Sequence, residues 1–269
     1  MFRPIRAENG VIYYVSDVLG GALHGFATRI GGVSALEHTR TLNLAFGRGD
    51  GDETVLENVR LFAEAVGFDD RRLISVFQTH SADIIEVSEE LLGAGVYRKT
   101  ELTGDGYVIT EPGSFAAIKT ADCVPVLLFD PKRKICSAVH AGWRGTFSLI
   151  ASGAVREMEL RGSLARDIRA AIGPAIGGDC YEVGEDVYLE AARASAPLAE
   201  AVFKPREREG KYLCDLKKAN RIILENAGLA AENIDVCELC THCETELFYS
   251  HRASGGVRGT MMSVIGMLE

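Results

Sequence analysis

Apolar residues recur along this chain in two rhythms, and the change from one to the other divides it. In the first half, short β-favouring runs at residues 11–15, 73–78, 84–87, 106–110 and 125–130 are bounded by Gly, Pro, Asp or charge, and predict strands. One stretch interrupts them. Val55, Leu56, Val59, Phe62, Ala63 and Val66 share one face of a helix, with Asp52 placed to cap its start, Gly67 to close it in a left-handed conformation and Arg60 on the other face. The second half alternates more regularly. Residues 135–140 read as a buried strand, 146–160 as a helix with Ile150, Val155 and Met158 inward, and 168–172 as the next strand, which is a βαβ signal. Helices near 185–195 and over 216–227 follow, the second capped by Asp215 and stopped by Gly228, before strands at 234–239 and 260–265. The expected class is α/β with a mixed sheet. No repeat or low-complexity linker divides the chain, so one domain is expected over residues 1–269.

Composition narrows the partners. With 269 residues and 47% hydrophobic content, the chain can bury a substantial core. Its 29 basic against 38 acidic residues give a net charge of -9 with no basic run, which argues against nucleic acid or an anionic membrane surface and for a small-molecule partner. Residues 1–9 hold no apolar run, and Lys119, Asp122 and Asp130 interrupt the most apolar region before it reaches the length of a membrane span. A cytoplasmic protein is the expectation, as a monomer or weak homo-oligomer. Seven cysteines without an export signal favour free thiols and metal ligands over a disulfide framework.

Three residues carry the candidate chemistry. His80, Cys123 and His140 stand in separate segments, each reading as the polar end of an apolar strand, and two imidazoles with one thiolate make a soft donor set suited to Zn²⁺ with a fourth position open. Any one of them alone reads more often as a buried hydrogen-bonded His or an inert core Cys. Cys123 with His140 could also form a nucleophile and base pair, which would leave His80 unexplained. After His140, Gly142-Trp143-Arg144-Gly145-Thr146 leads into a helix, so backbone N–H groups and a guanidinium could meet a phosphate there, or merely form a tight turn with a structural ion pair. Cys237, Cys240 and Cys243 stand at Cys-x-x-Cys-x-x-Cys spacing with His242 between the last two, which can begin an iron–sulfur or structural zinc site; no second Cys pair is in reach by sequence and alternate residues of a strand would point apart, so a structural or incidental origin is the expectation.

The segments Phe77-Gln78-Thr79-His80, Ala121-Asp122-Cys123-Val124-Pro125, His140-Ala141-Gly142-Trp143-Arg144-Gly145 and Ile172-Gly173-Pro174 resemble the signature blocks of the laccase-domain family, also called multicopper polyphenol oxidase or peptidoglycan-editing-factor proteins. The resemblance covers nearly the whole chain, from Phe26-Ala27-Thr28-Arg29 to Phe248-Tyr249-Ser250-His251-Arg252. The cysteine-rich stretch after Gly-Pro is reduced here to Ala175-Ile176-Gly177-Gly178-Asp179-Cys180, and His251 replaces the usual aromatic. The family implies a layered α-β-β-α sandwich. It implies zinc on His80, Cys123 and His140, which would be the catalytic residues, with copper as the alternative metal. It also implies a purine nucleoside phosphorylase acting on adenosine, inosine or guanosine with phosphate, with adenosine deaminase and methylthioadenosine phosphorylase activities. Asn43, Arg60, Gln78, Asp122, Arg144, Thr241 and Arg252 are the candidates for contact with phosphate, ribose or base, and each could equally be a structural or surface polar residue. Two alternatives remain: a mononuclear copper polyphenol oxidase, and a cysteine or metal hydrolase of peptidoglycan precursors. A four-copper oxidase needs on the order of ten imidazoles. This chain has six histidines.

Overall fold

The computed structural model describes residues 1–268 and places the strands in three sheets. The first sheet runs β1 (Phe2–Arg6), β2 (Ile12–Ser16), β3 (Leu23–Ala27), β15 (Met261–Gly266), β7 (Phe115–Thr120), β4 (Leu73–Ile74). The second runs β14 (Ile234–Val236), β10 (Arg169–Ile172), β8 (Val124–Asp130), β9 (Ile135–Ala141), β6 (Gly106–Ile109), β5 (Ile84–Glu86). A small third sheet joins β11 (Glu182–Gly184), β13 (Lys211–Cys214) and β12 (Phe203–Pro205). The pairings β4·β7, β5·β6 and β10·β14 are parallel and the rest antiparallel, so both large sheets are mixed.

The core explains why the central strands read as continuous apolar runs. In β8, Val124, Val126 and Leu128 join a cluster with the helices, while Leu127 and Phe129 face the first sheet beside Phe26, Ile118 and Ile265. A strand buried on both faces has no polar alternate positions to show. Helix α1 (Asp52–Val66) covers the outer face of the first sheet through Val59, Phe62, Ala63 and Val66. Helices α2 (Trp143–Phe147), α3 (Ile150–Leu160), α4 (Glu185–Ala194), α5 (Ala196–Val202) and α6 (Leu216–Asn226) cover the second. Among the described residues no helix is long and apolar enough to cross a membrane.

Several expectations need correction. Gly51, not Asp52, is the N-cap of α1; Asp52 lies in the first turn, where its charge meets the positive end of the helix. Gly67 does close α1 at φ 95, its N–H donating to Ala63 O. The helix expected over 146–160 begins earlier and breaks at Leu149, which adopts φ 59. The strand expected over 73–78 stops at Ile74, because beyond it side chains replace the ladder: Val76 N–H donates to the Tyr107 hydroxyl, and Gln78 bonds Lys119 through both ends of its amide. The strand-helix-strand unit of residues 135–172 forms, but β9 and β10 lie on either side of β8 rather than side by side.

Candidate active site

The β8–β9 hairpin sets two of the three ligand candidates. Its register pairs Val124 with Ala141 and Pro125 with His140, so Cys123, just before β8, arrives opposite Gly142. The glycine is needed there: a Cβ at residue 142 would stand 2.7 Å from His80 Nδ1 and 3.3 Å from Cys123 Sγ. His80 comes from the irregular segment after β4, with φ 60. The His80, Cys123 and His140 ligand atoms all lie within 4.8 Å of one another, and the two imidazole centroids are 4.8 Å apart. The expected trio is therefore assembled, although only His140 and Cys123 sit at strand ends.

A residue absent from the sequence-based candidates organises the trio. Asp105, immediately before β6, is fully buried, and its carboxylate accepts from six donors, the longest contact being the Thr79 hydroxyl to Oδ2 at 3.4 Å. Oδ1 takes His140 Nδ1 at 2.7 Å and His80 N–H at 3.1 Å; Oδ2 takes Thr79 N–H at 3.0 Å, Ser81 N–H at 2.8 Å and the Ser81 hydroxyl at 3.1 Å. One buried carboxylate thus folds the 79–81 turn around itself and fixes the left-handed His80. Burial works to raise the Asp105 pKa, but the His140 ring and the Ser81 and Thr79 amides hold it down at about 2. The available signal was Gly104-Asp105-Gly106 at the head of an apolar strand: an acid between glycines that pack against Ile85 and Ile84.

Asp122 does the same for Cys123. It adopts φ 91, and its carboxylate accepts from the Thr241 hydroxyl at 2.6 Å and from Arg252 N–H at 2.7 Å. Asp122 and the fully buried Thr241 thus form a brace behind the thiol. The Arg252 guanidinium lies over the Tyr181 ring at 5.1 Å.

The donor set fits a soft divalent metal. With Nδ1–H committed to Asp105, His140 presents Nε2, the arrangement in which a carboxylate orients a ligating imidazole. Burial opposes charge on His140, yet the neighbouring Cys123 and the Asp105 carboxylate bring it up to about 9, while burial, then His140 and Arg144, lower His80. One imidazole is thus ready as a neutral ligand, and the other would release a proton on metal entry. Gly142→Ala is expected to weaken zinc binding by about 10–100-fold, the cost of a misplaced ligand, with the fold intact; competition against a zinc chelator measures it.

The trio lines one end of a cavity of about 690 Å³. Ser75, Gln78, Lys119 and Thr120 line its wall, with Phe46, Phe77 and Tyr97 as the aromatic residues and Arg48 and Arg258 as further cations. Burial, then Arg48, pulls Lys119 down to about 8, and the same causes take Arg258 to about 10. Arg258 Nη1 donates to the Thr260 hydroxyl at 2.7 Å, whereas its buried Nε has no partner. Cations that raise each other's cost of charging make an anion site. Sequence reading missed this cluster because its members come from three distant segments.

The remaining candidates fall elsewhere. Gln78 lines the cavity with its amide clamped to β7. Fully buried Asn43 bonds Asp50 and Thr260 N–H, supporting the cavity from behind. Arg60 pairs with Glu57 and Glu64 on the exposed face of α1. Gly142 does lead into a helix, but Arg144 is exposed and turns over the Trp143 ring at 4.2 Å rather than into the cavity. His24 is committed to Ser16 and Ala22, and His38 to the Arg48 carbonyl.

The model of a family described as multi-copper polyphenol oxidoreductase laccase matches residues 23–268. The chain is 38% identical over 248 residues to a Bacillus subtilis (strain 168) protein named purine nucleoside phosphorylase YlmD, covering 91% of this chain and 88% of that one. It is 35% identical over 242 residues to a protein named adenosine deaminase RL5, from an unknown prokaryotic organism, covering 86% and 92%. In three dimensions it superposes on the crystal structure of the Bacillus licheniformis hypothetical protein YfiH with a TM-score of 0.91 and 35% identity, covering 99% of this chain and 98% of that one.

Proposed function

This chain belongs to the multi-copper polyphenol oxidoreductase laccase family, and from that premise we propose that it is a zinc-dependent purine nucleoside phosphorylase, converting adenosine, inosine or guanosine and phosphate to free base and ribose 1-phosphate. The observation that carries the reading is the cation cluster of Arg48, Lys119 and Arg258 opening on the same cavity as His80, Cys123 and His140. When bound by that trio, Zn²⁺ supplies Lewis acidity without a second oxidation state.

The chain's own residues do the rest. Arg48, Lys119 and Arg258 hold the phosphate dianion, with the unpartnered Arg258 Nε as a donor already stripped of water. Phe46 and Phe77 offer ring faces to the base; Phe77 is 72% exposed although it borders the cavity, an expense of apolar surface that a stacked purine would remove. Asp105 keeps the His140 Nδ1 proton in place, and Asp122 with Thr241 keeps Cys123 in register. The relative named as an adenosine deaminase supports a second use of the same cavity, at purine C6. A laccase with several coppers is not supported by the ligand inventory, since among the described residues only two of the six imidazoles, those of His80 and His140, converge with Cys123.

Arg258→Ala is expected to raise the phosphate KM for inosine cleavage by about 10–100-fold, the worth of a hydrogen bond to a charged group, with zinc content unchanged and Arg144→Ala producing a smaller effect. Hypoxanthine release that ignores phosphate would instead indicate a hydrolase. The pH dependence has a defined sign. Lys119 is protonated below about 8 and loses its charge above it; bound phosphate stabilises the ammonium, so phosphate affinity falls as pH rises through that value. Lys119→Met should bind phosphate more weakly and flatten the profile, which initial rates between about pH 7.5 and 9.5 will show.

A further inference from the structure

A second set of metal-ligand types lies outside the cavity. Cys180 closes the loop after Gly177, and Cys240, His242 and Cys243 lie in and beside a tight turn in which Cys243 and Glu244 N–H both donate to Cys240 O. Two links bring loop and turn together: Thr241 N–H donates to Ala175 O at 3.1 Å, and Gly177 N–H donates to Cys240 Sγ at 3.1 Å. The Cys180, His242 and Cys243 ligand atoms all lie within 4.8 Å of one another. Cys180 Sγ is 3.4 Å from Cys243 Sγ, and the Cys240 thiol neighbours both although it stands outside the mutually close set of Cys180, His242 and Cys243.

We infer that Cys180, His242 and Cys243, with the neighbouring Cys240 thiol turning in as the fourth ligand, form a second, structural zinc site. Three thiolates and one imidazole are a closed Cys₃His set that leaves no open position. Zinc–sulfur bonds of about 2.3 Å put two sulfurs of one tetrahedral site about 3.8 Å apart, so the observed sulfur spacing needs only a small adjustment. A disulfide accounts for the same residues less well. Cys180 and Cys243 are unbonded, and joining them would need an external oxidant and leave Cys240 and His242 without a role. Binding to the thiolates would release the thiol protons to solvent, with no change of oxidation state.

The placement gives this metal a task distinct from the one in the cavity. Thr241 lies between two of the ligands, and its hydroxyl braces Asp122, whose backbone carbonyl also accepts from Ile176 N–H in the facing loop. A metal joining loop and turn would fix both supports of the residue that precedes Cys123. The inference does not depend on the phosphorylase reading, because it concerns ligands that never meet substrate.

Metal analysis and native mass spectrometry of protein saturated with zinc test it. Wild type is expected to carry two zinc ions, His80→Ala/His140→Ala one, and Cys180→Ser/Cys243→Ser one. Should the cysteine variant fail to fold, cobalt titration of the His80→Ala/His140→Ala protein gives the answer, since three thiolates produce a strong sulfur-to-cobalt charge-transfer band in the near ultraviolet. A single zinc in saturated wild type, no such band, or an intact mass lower by two hydrogens in place of the metal would overturn the assignment. Loss of phosphorolysis with both metals retained would leave it standing and count against the activity alone.

Discussion

Asp105→Asn is expected to lower zinc affinity at the His80–Cys123–His140 site by about 100-fold, the upper end of what loss of a ligand's carboxylate partner costs. The amide is nearly isosteric, so the effect isolates hydrogen-bond polarity. The four donors around Oδ2, the N–H and hydroxyl groups of Thr79 and Ser81, would keep the amide oxygen on their side. The NH₂ group would then face His80 N–H and His140 Nδ1, donor against donor for the first and donor to ring nitrogen for the second. His140 would respond by moving its proton to Nε2, the nitrogen the metal needs. Chelator competition measures the affinity, and nitrogen-15 NMR of the imidazoles reports the tautomer. Stability carries the same signature. The Asp105 carboxyl is held at about 2 in the folded protein. Its contribution is therefore present above its unfolded value of about 3.9 and lost as pH falls toward the folded one, so acid unfolding of Asp105→Asn should show a weaker dependence on pH in that interval.

His80→Ala is expected to abolish phosphorolysis, with kcat/KM down by at least about a thousandfold, consistent with loss of the charge stabilisation a metal provides, and to remove one zinc per chain. The fold should tolerate it. The His80 side chain is exposed at the cavity rim, and its backbone N–H would still reach Asp105, leaving only about 1–2 kcal/mol for a left-handed residue that was already strained in the parent. The variant also decides between chemistries. A Cys123–His140 nucleophile and base pair does not need His80, so substantial residual cleavage by His80→Ala would favour the cysteine hydrolase.

How much of this was legible in the sequence depends on where each residue's partners lie. Helix α1 was readable almost residue by residue, because its apolar face and its Gly67 stop are local. Cys123 and His140 were readable as ends of the apolar runs that became β8 and β9. Strands β1 and β3 were not: the first is an edge strand carrying Pro4, and the second contains His24 and Gly25, whose polarity and missing side chain hide the pattern. Gly25 is there because a Cβ would come within 2.9 Å of Val66 on α1, a tertiary reason that no local reading reveals. Asp105 escaped for the same kind of cause, since all its partners are long-range. The anion cluster shows the limit most clearly. Arg48, Lys119 and Arg258 each look like ordinary surface cations, and only the fold brings them to one wall, whereas Arg144, conspicuous beside His140, turns onto Trp143.

The most direct test follows the fate of the sugar and of oxygen together. Zinc-loaded protein incubated with inosine and phosphate should produce ribose 1-phosphate, followed by phosphorus-31 NMR, and an equal amount of hypoxanthine, followed by its ultraviolet absorbance, with no release when phosphate is omitted and no oxygen consumed when a phenol is added. Free ribose formed at the same rate without phosphate, or oxygen uptake driven by a phenol with copper bound as isolated, would contradict the account.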